Sequence, residues 1–190
     1  MRQLRSAIGD RGTTSPLVFR FLNNNDSGAR FSTRYGVART RVAVAMLLTL
    51  PGLPGLYTGE EVGATFEPYR EVAPVVWDDP NQLRVWYTRL LELRRRHSSL
   101  RSREVRLLAL EPADQVLAYL RPAVHPDRTI LVLLELRGRP SEIEIPEEIL
   151  RSLSPEGKLM DLLVGERFTL NLRGNRVALP PGGVRLLQAE

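Results

Sequence analysis

Apolar and polar positions follow two different rhythms along this chain. In the first half, short apolar runs end abruptly in polar clusters and alternate with long helical periodicities. Leu17-Val18-Phe19-Arg20-Phe21-Leu22 runs straight into Asn23-Asn24-Asn25-Asp26-Ser27-Gly28, the pattern of a parallel strand whose C-terminal end opens into a polar loop. From Ser32 to Leu50 the spacing of Tyr35, Ala38, Val42, Ala45, Met46 and Thr49 predicts a helix, which Pro51-Gly52 stops. Leu53 to Tyr57 reads as a second strand, again ending in polar residues, Thr58 to Glu61. After an irregular stretch, Phe66 to Asp78, a second helix is expected to start with Asp79 as its cap, Pro80 in its first turn and Gln82 as a capping-box partner. Leu83, Trp86, Leu90 and Leu93 form its inner face, widened by Tyr87 and Leu91, with Arg84, Arg89, Arg95 and Arg96 on the solvated side. Ahead of these, Arg2 to Ile8 reads as the tail of a helix closing at Gly9, followed by a loop with Gly12, Ser15 and Pro16. Two consecutive strand–helix units imply a parallel sheet covered by helices.

Beyond Ser102 the rhythm shortens. Strand-like runs occur at Val105–Leu108, Val116–Leu120, Ile130–Leu134, Ile143–Ile145, Leu159–Val164, Arg167–Leu172, Val177–Leu179 and Val184–Leu187. Turn residues separate them, among them Glu111-Pro112-Ala113-Asp114, Pro126-Asp127-Arg128, Gly138-Arg139-Pro140 and Pro181-Gly182-Gly183. Such regular spacing predicts an antiparallel sandwich. Only Pro146–Leu153 reads as a helical insert, with Pro146 in its first turn. The expected architecture is therefore α/β plus all-β, with residues 1–100 and 101–190 as two domains that meet near Ser99–Arg103.

Composition narrows the functional classes. A 43% hydrophobic fraction over 190 residues gives a sizeable core and argues against disorder. The longest apolar run, Val42–Leu50, is too short to cross a bilayer. Absence of cysteine excludes disulfides and thiolate chemistry. Met1 to Ser6 carries no signal-peptide apolar region, so a cytoplasmic location is expected. The formal charge of +5 invites a nucleic-acid reading, but the basic residues are scattered arginines, Lys158 being the single lysine, and no motif accompanies them. Neither nucleic acid nor membrane is an expected partner.

Two segments carry a family resemblance. Phe21-Leu22-Asn23-Asn24-Asn25-Asp26, followed by Arg30-Phe31, resembles the Phe-Leu-x-Asn-His-Asp motif at the end of the seventh barrel strand in glycoside hydrolase family 13, the α-amylase family. Leu47-Leu48-Thr49-Leu50-Pro51-Gly52-Leu53-Pro54-Gly55-Leu56-Tyr57-Thr58-Gly59-Glu60-Glu61-Val62-Gly63 resembles the helix-to-eighth-strand signature of the same family. The Arg70–Trp77 loop and the Tyr87–Arg95 helix look like the final barrel elements, and the strands beyond them look like the C-terminal β-sandwich. The resemblance implies a partial (β/α)8 barrel remnant followed by an antiparallel β-sandwich, covering nearly the whole chain.

It also implies a chemistry. Enzymes of this family are retaining glycosidases that place a nucleophilic carboxylate and an acid/base carboxyl on either side of the scissile bond. Those two belong to the fourth and fifth barrel strands, which this chain does not carry. A third carboxylate, matched by Asp26, hydrogen-bonds hydroxyls of the distorted sugar at the C-terminal end of a strand, where barrel active sites lie. The resemblance thus assigns Asp26 to transition-state stabilisation and Asn24, Asn25, Arg30 and Glu61 to substrate binding. The plainer reading of Asp26 is a turn former, since Asn-Asp-Ser-Gly is turn chemistry in its own right.

Asn25 stands where the family usually has histidine; its amide can donate to a sugar hydroxyl but cannot carry positive charge. The Asp26–Arg30 gap is one residue longer than the common pattern. Glu60 and Glu61 end the second strand, either at the barrel mouth or in structural hydrogen bonds. Trp77 is expected in the core, with sugar stacking as the alternative. His97 and His125 have no partner for triad or metal duty, and no metal or cofactor is expected.

The leading functional expectation is a C-terminal piece of an amylase-like enzyme acting on an α-glucan or oligosaccharide and completed by an upstream barrel chain. A stand-alone carbohydrate-binding or protein-interaction module is the competing one, and closure of the remnant by self-association a third.

Overall fold

A computed structural model describes residues 18–71, 74–125, 128–170 and 175–190. The helix tail expected at Arg2–Ile8 and its loop lie outside the described residues, as do Pro126-Asp127 and the end of the Arg167–Leu172 run. Chain order is β1 (Phe19–Arg20), α1 (Phe31–Thr49), β2 (Leu53–Pro54), a 3-10 turn (Glu60–Val62), α2 (Leu83–Arg96) and a second 3-10 turn (Ser98–Arg101). Then follow β3 (Arg106–Leu108), β4 (Val116–Arg121), β5 (Ile130–Glu135), β6 (Ser141–Glu144), α3 (Glu147–Leu153), β7 (Lys158–Asp161), β8 (Arg167–Thr169), β9 (Arg176–Leu179) and β10 (Val184–Ala189).

β1 and β2 pair in parallel, Phe19 opposite Leu53 and Arg20 opposite Pro54. The ladder is much shorter than the two runs that predict it. Backbone bonds from Leu53 N to Val18 O (2.8 Å) and Gly55 N to Arg20 O (2.7 Å) flank it. The strands approach so closely that a Cβ on Gly52, which sits at φ 124°, would lie 2.5 Å from the Val18 carbonyl, so this position needs glycine. A Cβ on Gly55 would press on the exposed Phe19 ring, which can swing aside.

The remaining strands form a six-stranded antiparallel sheet, ordered β3-β4-β5-β10-β7-β8, and a two-stranded ribbon, β6-β9. One face of the large sheet presents Leu117, Tyr119, Ile130, Val132, Leu134 and Leu186 to α1 and α2. The other presents Val116, Ala118, Leu131, Leu133 and Leu187 to the ribbon and α3. Both faces are dry, so β4 and β5 carry uninterrupted apolar runs where a half-solvated antiparallel strand would alternate. The ribbon does alternate, with Ile143 and Val177 inward and Glu142, Glu144 and Ala178 outward. The expected architecture, a small parallel barrel remnant and an antiparallel sandwich, is the one observed, and the remnant's helices lie directly on the large sheet.

Three local expectations are corrected. α1 is not continuous: Gly36 adopts φ 78°, ψ 168° and breaks it after one turn. Gln82 makes no capping box, since it stands just before α2 in the left-handed region, φ 51°, without a side-chain cap bond. Asp79 does cap, reaching across the Pro80 turn to accept from Leu83 N (2.8 Å) and Arg84 N (2.9 Å); Pro80 precedes the helix. Leu91 faces outward while Arg94 faces in, its guanidinium donating to the carbonyls of Leu48, Leu50, Gly52 and Leu100 where α1 ends.

Candidate functional site

The loop from Leu22 to Arg30 leaves the C-terminal end of β1, and one buried asparagine closes its base. Asn23 Oδ1 accepts from Phe31 N at 2.7 Å, capping α1, while its Nδ2 donates to Glu60 Oε2 at 2.5 Å. The other Glu60 oxygen accepts from Tyr87 OH at 2.7 Å. Asn23, Glu60 and Tyr87 thus join the ends of β1 and β2 to α2. Burial raises the Glu60 pKa, and the Asn23 and Tyr87 donors offset only part of that. Burial and the adjacent Glu60 push the Tyr87 phenol up, so it remains a donor.

Above this base the loop folds into a turn around Asn24. Its Oδ1 accepts from Asp26 N (3.0 Å) and Ser27 Oγ (2.6 Å), and Ser27 Oγ accepts from Asn24 N (2.8 Å). Asn25 and Asp26 are left exposed at the tip. Asn25 Nδ2 donates to Tyr69 OH at 2.7 Å and lies 3.4 Å from Asp26 Oδ1. A carboxylate with free lone pairs, beside an amide and a phenol, can accept hydrogen bonds from vicinal hydroxyls.

Arg30 sits at the far end of the loop and is 1% exposed. Its guanidinium lies between the rings of Tyr57 and Phe66, 4.4 and 4.3 Å from their centroids, and donates to the carbonyls of Phe66 (3.0 Å) and Thr58 (3.1 Å). Burial lowers its pKa, against the pull of Tyr57 and Glu60. In this position Arg30 fastens the loop to the segment after β2.

Of the two glutamates there, Glu60 is the buried one. Glu61 lines an open depression of about 500 Å³ with Leu56, Tyr57, Trp77 and Arg84. No hydrogen bond among the described residues joins Glu61 to the Asn24–Asp26 turn. Trp77 is not a core residue: it is 52% exposed. The inner place is held by Trp86, whose Nε1 donates to Arg41 O at 3.0 Å. The structure therefore brings Asn24, Asn25 and Asp26 together, places Arg30 beneath them and leaves Glu61 apart. Asn23 and Tyr87, which organise the site, escaped the sequence reading; one was hidden in a run of asparagines and the other passed as core.

Burial and nearby arginines lower the His97 pKa. Among the described residues no group of three metal-ligating side chains occurs, and no helix is long and apolar enough to cross a membrane.

No family model matches the chain. Over 179 residues it is 28% identical to a cyclomaltodextrinase of Geobacillus thermopakistaniensis (strain MAS1), a match covering 91% of this chain and 29% of that protein. It is 30% identical over 140 residues to neopullulanase 2 of Thermoactinomyces vulgaris, covering 68% of this chain and 23% of that one. Its fold superposes on an Anoxybacillus α-amylase with a TM-score of 0.75 at 22% identity, over 92% of this chain and 38% of the amylase. The chain spans less than a third of the length of the curated relatives it matches.

Proposed function

We propose, for a chain that carries the C-terminal part of the α-amylase family, that it contributes the Asp26 carboxylate to the active site of an α-glucan-acting glycoside hydrolase. The observation that carries this reading is the Asn24–Asp26 turn: an exposed carboxylate at the C-terminal end of a parallel strand, on a loop whose base is pinned by Asn23, Glu60 and Tyr87. Asp26 would accept hydrogen bonds from ring hydroxyls as the sugar flattens toward its oxocarbenium-like transition state. Asn24 would set the turn, Asn25 would donate to a hydroxyl, Arg30 would hold the loop in register, and Glu61 would bind substrate from the neighbouring turn. Residues 1–100 would form the C-terminal portion of the catalytic barrel and residues 101–190 the sandwich domain, in a cytoplasmic protein.

Glycoside hydrolysis of the retaining kind needs two carboxyl groups about 5 Å apart across the bond. Glu60 is buried and committed to two donors, and Asp26 is suited to binding. By the family resemblance, the nucleophile and the acid would come from an upstream barrel chain. The isolated chain is expected to release no reducing sugar from α-1,4-glucans when purified from an amylase-free host. Measurable turnover by that sample would sink this account.

Trp77, exposed beside Glu61 and Arg84, favours one second reading, a stand-alone carbohydrate-binding module. Calorimetric titration with maltooligosaccharides separates the two, since micromolar affinity of the isolated chain supports the module. Closure of the remnant by self-association would show as a concentration-dependent mass in light scattering.

A further inference from the structure

Three guanidinium groups converge where the barrel remnant meets the sandwich. Arg20 Nε donates to Pro51 O at 2.7 Å. Arg94 bridges two turns, bonding the carbonyls of Leu48, Leu50 and Gly52 on one and that of Leu100 on the other. Arg121, at the end of β4, takes the neighbouring carbonyls of the second turn, Ser99 O at 2.9 Å and Ser102 O at 2.7 Å. Arg121 is fully buried and Arg94 nearly so. Among the described residues no carboxylate forms an ion pair with any of the three. Glu104, which acts on Arg121 from a distance, is exposed. Tyr119, buried among them against Thr49, is pushed up by burial and stays neutral. Burial draws the Arg121 pKa down to about 10, with Arg94 and Arg20 adding to it against the pull of Tyr119 and Glu104, so the group is still charged at neutral pH.

Carbonyl dipoles answer most of these N–H groups, but two donors are left over. Arg121 Nη1 and Ser99 Oγ, on residues that already touch, are buried without a hydrogen-bond partner. Each can donate. The carbonyls beside them, Ser99 O, Leu100 O and Ser102 O, already accept guanidinium N–H groups. A water would need acceptors for its own hydrogens, whereas an anion only accepts and also meets the unbalanced positive charge. We propose that Arg121 Nη1 and Ser99 Oγ hold a small inorganic monoanion of halide size, with Arg94 and Arg20 supplying the surrounding field. Two donors in a closed place suit a compact single charge rather than a tetrahedral oxyanion with four oxygens to satisfy. Because Ser99 belongs to the turn after α2 and Arg121 to β4, the bound ion would fasten the remnant to the sandwich. The site does not depend on the α-glucan reading.

The test is a halide titration of the full chain at constant ionic strength, with the bulky gluconate as the balancing anion. Chloride and bromide are each expected to raise the thermal midpoint saturably, by about 3 °C at about tenfold excess over the dissociation constant. In crystals soaked with bromide, anomalous scattering is expected within hydrogen-bond distance of Arg121 Nη1 and Ser99 Oγ. Ser99→Ala is expected to weaken halide binding about tenfold, the worth of one hydrogen bond to a charged group, and Arg121→Lys to weaken it further. Arg139→Ala, exposed on the sandwich, leaves it unchanged. Circular dichroism verifies that each variant is folded; where one is not, the bromide position in the unsubstituted chain decides. An ordered water in place of bromide at these atoms, scattering only elsewhere, an equal rise with gluconate, or a folded Ser99→Ala chain that binds halide as tightly would each overturn the proposal.

Discussion

Two of the sheets, the six-stranded one and the β1–β2 pair, share the same kind of residues and differ in what completes them. In the large sheet, β4 and β5 are six residues long, pair along their whole length and are dry on both faces. In the small one, β1 and β2 offer a two-residue ladder, one covered face and a row of exposed Phe and Leu on the other. Apolar content alone therefore does not make a self-sufficient layer; it needs strands at its edges and elements on both faces. The large sheet finds these within the chain. Among the described residues only the helices of the small one do, because α1 and α2 rest on the large sheet through Leu48, Leu83, Tyr87 and Leu90. The half that carries the candidate chemistry is thus anchored from behind and open in front.

The sharpest test of that difference is a pair of truncations. Leu133→Ala empties a position buried in the middle of the large sheet and is expected to cost about 4 kcal/mol, the transfer term plus a cavity. Phe19→Ala removes a larger side chain from the bare face and is expected to change stability by less than about 0.5 kcal/mol. Urea denaturation of both variants measures the contrast, and equal losses would break it. Next in size is Arg94→Ala. It strands the carbonyls of Leu48, Leu50, Gly52 and Leu100, an expected loss of about 3 kcal/mol because unpartnered buried acceptors carry their full desolvation cost. Arg94→Lys should recover part of it.

The two halves also hold buried carboxylates that respond to pH with opposite sign. Burial raises Glu60 more than its donors lower it. Its contribution is fully present below the unfolded carboxylate value and is lost as pH rises through the higher folded value. Burial acts on Glu135 in the same direction, but bonds from the Gly182, Arg137 and Gly138 N–H groups outweigh it and hold its pKa down. Its contribution is present above the unfolded value and is lost as pH falls through the lower folded one. Glu60→Gln should therefore flatten the fall in stability on the alkaline side of the carboxylate range. Glu135→Gln should flatten the fall on the acid side and cost about 2 kcal/mol at neutral pH. Thermal midpoints across pH 3 to 8 (roughly the interval over which carboxylates with shifted pKa values titrate) check both slopes.

Much of this was legible in the sequence where one residue's neighbours in sequence are also its neighbours in space. β4, β5 and the ribbon could be read because pairing and burial act on consecutive residues. The turn at Asn24–Ser27 could be read because its hydrogen bonds span three residues. The base of the site could not. Asn23 meets Glu60 across 37 positions and Tyr87 meets Glu60 across 27, and nothing local distinguishes Glu60 from Glu61. Trp77 and Trp86 are both tryptophans near a helix start, and only the packing of α2 on α1 decides which is inside. The break at Gly36 was concealed because the apolar spacing continues through it.

The smallest expected effect bears most on function. Asp26 is exposed, and its carboxylate has one weak neighbour, Asn25 Nδ2 at 3.4 Å. The turn beneath it is held by Asn24 and Ser27, and the Asp26 contribution to that turn is its backbone N–H. Asp26→Ala keeps that N–H, so the expected change in stability is within about 0.5 kcal/mol, below 2 °C in thermal midpoint for a chain of this size. Asn24→Ala, two residues away, removes the acceptor of two bonds and should cost about 1 kcal/mol. A loss from Asp26→Ala equal to that of Asn24→Ala would mean that the carboxylate serves the turn. A silent Asp26→Ala is the outcome that the proposed binding role requires, because among the described residues the exposed carboxylate has only the weak contact to Asn25.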